Sequence, residues 1–188
     1  MSSGGFSGRK SELEDKFFAE RDQELLRALR EKTALRERKQ ALAEASGIAD
    51  EDLLDQLQQL DVGAETLAAL SLVPLVAVAW ADRTLDPKER QAVLSAAEEK
   101  GIGPEHPGYP LLERWLEKRP APALLATWKD YVAALSGTLS ESAHKALKQD
   151  LLGRARAVAE AAGGLLGLGS RVSKPEQAVL EELEQAFG

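Results

Sequence analysis

Asp82, Asp86 and Glu89 place three carboxylates within eight residues, in the stretch ADRTLDPKER. Carboxylate oxygens this close together are what a hard divalent cation such as calcium or magnesium requires, with backbone carbonyls and water completing the shell. Asp82 closes an apolar run at a helix C-terminus, where the macrodipole disfavours an anion and calls for a compensating positive group. A metal ion would supply it, and so would Arg83 or Arg90. The same residues also fit a structural role, because Asp86-Pro87-Lys88-Glu89 sets an N-cap acid before Pro at the first helical position and Glu at the third. A capping box without metal meets the spacing equally well.

Other chemistry finds little footing. The chain has no cysteine, which removes disulfides, thiolate zinc sites and cysteine nucleophiles. Its two histidines lie far apart: His106 reads as a turn residue in GPEHPGYP, and His144 as a solvated helix-face residue beside Lys145. No serine has a credible base partner. The GGLLGLG run follows a helix and lacks both the Lys-Ser/Thr of a Walker loop and a βαβ context, so its glycines read as close helix packing. A net charge of −7 argues against generic nucleic-acid binding. The expectation is a protein that is not an enzyme.

The elements that must position the acids are helical. Leu67 to Trp80, LAALSLVPLVAVAW, sits in a stretch with no charged residue between Glu65 and Asp82. A helix apolar on all sides belongs inside a protein, and this one is shorter than the roughly 20 residues that span a bilayer. Pro74 costs about 3 kcal/mol in a straight helix, which predicts a kink or a two-part helix near Leu72. Trp80, Trp115 and Trp128 are expected as packing anchors. Further helices are expected over Asp50–Leu60, Asp86–Lys100, Leu111–Lys118, after the separating Pro120 and Pro122 to about Leu135, Ser140 to about Ala162, and from Ser173 to near Phe187. No window alternates with period two, so the fold class is all-α.

The N-terminal part differs in character. Residues 1–10 are Gly/Ser-rich and expected to be disordered. Ser11 with Glu14 reads as a capping box opening a charged helix to about Ser46, with a sparse apolar stripe. Residues 9–46 carry ten Lys/Arg and nine Asp/Glu, so the rest of the chain carries a net −8. The organisation expected is an N-terminal helical arm over 11–62 and a helical domain over 63–188. MSSGGFSGRK lacks the apolar stretch of a signal peptide, and with no membrane span the expected location is cytoplasmic.

LVPLVAVAWADRTLDPKERQAVLSAAEEKGI resembles the first helix-turn-helix of the tellurite-resistance TerB-like family, in which an apolar helix ends in an Ala-Asp-Gly turn followed by an acid and a Glu three residues later. RVSKPEQAVLEELEQAF resembles the matching half of that family's internal repeat, with QAVL recurring at Gln91–Leu94 and Gln177–Leu180. The resemblance implies a multi-helix bundle over about 64–188. It also implies a divalent-cation site (calcium, magnesium or zinc) from Asp82, Asp86, Glu89 and Glu176, and stress-linked roles at the inner membrane surface through protein partners. Arg83 stands where the family has its turn glycine, and Ser173 where the second turn has an acid. The stretch LEDKFFAERDQELLRALREKTALRERKQALAEASGI is similar to the start of the bacterial F1-type ATPase inhibitor, the zeta subunit, which implies an alternative role as an inhibitor of a large complex through the N-terminal helix.

Overall fold

The computed structural model describes residues 5–162 and 172–188, with the backbone alone for 5–19 and 162. Residues 1–4 and the GGLLGLG run lie outside the described residues. The chain forms α1 (Gly5–Ser46), α2 (Glu51–Gln59), a 3-10 helix (Leu67–Leu72), α3 (Val73–Ala79), α4 (Pro87–Glu99), α5 (Tyr109–Glu117), α6 (Pro122–Ser136), α7 (Glu141–Ala162) and α8 (Lys174–Gln185). It is all-α, with no strand among the described residues, and no helix there is long and apolar enough to cross a membrane.

Two compact units result, Met1–Gln40 and Ala41–Gly188. The first consists of most of α1, which begins at Gly5, so Ser11 and Glu14 lie inside the helix and not at its start. Leu25, Leu26, Leu29 and Leu35 are exposed at 62, 52, 54 and 54%. Leu26 and Leu35 fall about half a turn apart on the helix, so the leucines make no single stripe.

The second unit holds the core, and it begins earlier than residue 63. Leu42 in the last turn of α1, Ile48, and Leu53, Leu54 and Leu57 of α2 are all buried in it. Asp50 caps α2 by accepting from the Leu53 N–H at 3.0 Å. Across the unit, Thr127 Oγ1 on α6 donates to Gln56 Oε1 on α2 at 3.2 Å.

At the centre, the apolar segment breaks where the proline ring requires. The 3-10 helix ends at Leu72 and α3 restarts at Val73 with Pro74 in its first turn, where its missing N–H leaves no helix bond unmade. Leu72, Val73, Leu75, Val76 and Val78 are at most 1% exposed. α4, α6, α7 and α8 all pack on α3, and Leu151 and Leu180 are buried in the same cluster, with Leu94 against its edge. Trp80 is half-buried and donates its indole N–H to the Trp115 carbonyl at 2.9 Å. Trp128 meets Phe187 edge-on at 6.0 Å. His144 is not a solvated face residue: its ring lies 5.8 Å from that of Phe187 and its Nε2 is buried without a partner among the described residues. The start of α7 packs on the C-terminal aromatic, which draws the imidazole inward.

Between α4 and α7, Lys100 Nζ reaches Asp150 Oδ2 at 2.6 Å, and Arg154 bonds both Asp150 (2.8 Å) and Glu99 (2.7 Å). Leu75→Ala should cost about 2–5 kcal/mol, as deletion of buried methyls does. Leu25→Ala on exposed α1 should stay within about 0.5 kcal/mol. Urea denaturation of the two variants measures both, and equal effects would show that α3 is not the centre of the core.

Candidate functional site

The turn that leaves α3 is built by backbone bonds from Ala81 to the Val78 carbonyl and from Arg83 to the Trp80 carbonyl, both 3.0 Å. Arg83 adopts φ 74°, the left-handed conformation that glycine takes freely. An L side chain there costs roughly 1–2 kcal/mol. Asp82 Oδ1 accepts from the Thr84 N–H and the Thr84 hydroxyl, both at 2.9 Å, an Asx-type turn. Among the described residues neither Arg83 nor Arg90 pairs with Asp82; Thr84 answers its charge instead.

Asp86 then opens α4. Its Oδ1 accepts from the Lys88 N–H at 2.7 Å, and Glu89 Oε2 accepts from the Asp86 N–H at 3.1 Å, completing a capping box. α8 opens the same way. Ser173 Oγ accepts from the Glu176 N–H at 3.4 Å, and Glu176 Oε2 accepts from the Ser173 N–H at 2.5 Å. Each box places a glutamate in the first turn of its helix, and both are buried, Glu89 at 6% and Glu176 at 7% exposure.

The two buried glutamates meet. Burial, most of all, raises the Glu89 carboxyl, against the pull of the Asp86 N–H. A hydrogen bond with Glu176 and the negative charges of Glu176 and Asp82 act in the same direction as burial, and together they bring it to about 7. Two carboxylates in one dry site do not both ionise easily, so Glu89 keeps its proton up to about pH 7. Of the four acids expected from the sequence, the structure brings Glu89 and Glu176 into contact and Asp82 within electrostatic reach. Asp86 is exposed and turned to its own helix end. Among the described residues no three His, Asp or Glu side chains converge closely enough to hold a metal ion. The sequence signal for the pair was present, since both glutamates stand three residues after a cap, with a proline in between. Their mutual contact spans most of the helical unit and had no local signature.

Compared with protein-family models, with curated proteins and with solved structures, the chain matches none of them.

The pair sets a pH dependence. Between the ordinary carboxyl value of 4.5 and about 7, folded Glu89 keeps a proton that the unfolded chain has lost. Stability therefore falls as pH rises through that window, and above it the loss is complete. Asp150 works in a different range. Burial pushes its carboxyl up, but hydrogen bonds from Lys100 and Arg154 outweigh this and hold it below 3.8, so its contribution is lost only in stronger acid. Glu89→Gln keeps an acceptor for the Asp86 N–H and offers Glu176 a permanent donor. The variant should lose the stability decline between about pH 5 and about pH 8 and be the more stable protein at the upper end. Chemical denaturation at both pH values checks this, and parallel wild-type and variant curves would refute it.

Proposed function

We propose that this is a non-enzymatic, TerB-like protein-interaction or stress-response module, working in the cytoplasm, that holds a divalent cation at its acidic inter-helix turn. The meeting of Glu89 and Glu176 carries this reading. Two buried carboxyls that compete for one proton are also two anionic oxygen donors facing one another, and a cation between them would replace the proton. Asp82, backbone carbonyls and water would complete the oxygen shell that calcium or magnesium takes. The resemblance gains support from Arg83, which holds the left-handed conformation expected of the glycine in an Ala-Asp-Gly turn. Peripheral association with a membrane surface would then run through a protein partner.

Cation binding to the native state raises its stability by mass action. Calcium, magnesium or zinc at millimolar concentration should therefore raise the melting temperature above about pH 7, where Glu89 has given up its proton. Glu176→Gln should abolish the response. Calorimetry that finds no heat of binding for any of the three ions would leave the turn as a proton-sharing capping device.

A second reading is favoured by the exposed leucines of α1, which the first unit leaves uncovered at more than half their surface. Helices in proteins owe most of their stability to packing of an apolar face. A partner that covers Leu25, Leu26 and Leu29 fits a regulator or inhibitor acting through this helix on a large complex such as the F1-type ATPase. Pull-downs with the full chain and with residues 41–188 separate the two. Capture by the shorter chain supports the helical unit as the docking part, and capture that needs residues 1–40 supports the inhibitor.

A further inference from the structure

A cleft of about 680 Å3 opens on the helical unit, between α3, the α5–α6 connection, α6 and α8. None of Asp82, Glu89 and Glu176 lines it. Its walls are largely hydrocarbon, with Val73, Val76, Leu124, Leu125 and Val179 around the half-buried indole of Trp80. Three charged side chains reach it: Arg119, Lys129 and Glu182. Lys129 and Glu182 are bonded to one another and cancel. Arg119 is exposed and, among the described residues, has no ion-pair or hydrogen-bond partner. The lining is therefore apolar with one uncompensated positive charge. α6 begins beside that charge, and its N-cap, Ala121, has no side chain to cover the first N–H groups, which adds to the positive potential there.

Volumes of roughly 300–1,000 Å3, apolar walls and a few polar groups that fix orientation are the usual form of a small-molecule site. We infer that this cleft binds an amphipathic monoanion, a fatty-acid-like molecule with one carboxylate and an apolar body. The carboxylate sits on Arg119, whose planar guanidinium matches it with two parallel hydrogen bonds. The body lies along Trp80 and the aliphatic wall formed by α3 and α6. A neutral amphiphile would leave Arg119 unanswered, and a cationic one would meet it with like charge.

Decanoate is the probe, titrated below its micellar range into the full chain and followed by calorimetry and tryptophan fluorescence, with decanol and decylamine as controls. Decanoate should bind saturably at a single site, about tenfold or more tighter than decanol, with decylamine weakest. Arg119→Ala should reduce decanoate to the level of decanol. Ala126→Trp, at an exposed position on the cleft wall, should block binding of both while circular dichroism and the melting temperature stay unchanged. Equal affinity for decanoate and decanol, indifference to Arg119→Ala, or no saturable binding would each overturn the assignment. Binding of an amphipathic helical peptide in place of decanoate would also overturn it and make the cleft a protein-docking groove.

Discussion

α3 has no polar face to offer to water, and that constraint shapes the helical unit. Leu72, Val73, Leu75, Val76 and Val78 point in all directions around its axis and are all excluded from solvent. Elements must therefore lie on every side, which is why α4, α6, α7 and α8 all contact a helix of only seven residues. The cover needs hydrophobic faces of its own, and it finds them in Val93 and Ala97, Leu124 and Trp128, Leu151 and Ala155, Leu180 and Leu183. Polar residues remain on the outside, where Lys100, Asp150, Arg154 and Glu99 tie α4 to α7.

The acidic pair follows from the same crowding. Helices that converge on a short central element bring their ends close together, and two of them begin with a capping glutamate. Each glutamate is well placed for its own helix, because an anion favours the positive end of the macrodipole. Together they are poorly placed, because each is a like charge in a dry neighbourhood. The helix ends favour the carboxyls and the core denies them water, so Glu89 holds its proton to higher pH than a solvated carboxyl does. Asp82 adds a third negative charge to the same region and commits its own oxygen to Thr84.

Most of the fold was legible because its punctuation is local. Asp86 and Ser173 cap where their spacing says they should, and Pro74 divides the apolar segment at Leu72. The less legible features depend on partners distant in sequence. The boundary at Gln40 was hidden because α2 is amphipathic on its own and only its burial against the core shows which unit it belongs to. His144 looked solvated because Phe187, which draws it inward, is the penultimate residue of the chain. Of the site, local spacing reads the four acids one by one; only the resemblance groups them, and it does not show that Asp86 stands apart from Glu89 and Glu176. A capping box specifies where a side chain starts and says nothing about what lies across from it.

Five of the helices, α3, α4, α5, α6 and α8, carry a proline in their first turn. A ring that cannot occupy a helix interior fixes the residue at which each helix begins, and so fixes its rotational phase. One residue of slippage turns a helix by about 100°, enough to carry Val93 out of the core or swing Glu89 away from Glu176. With the start pinned, every later position on the helix inherits its facing. Changes in chain length are therefore absorbed without rotation only behind the helix ends, in stretches such as the turn at Gly101 after α4. A single inserted residue between Pro87 and Val93 would reassign the whole inner face of α4.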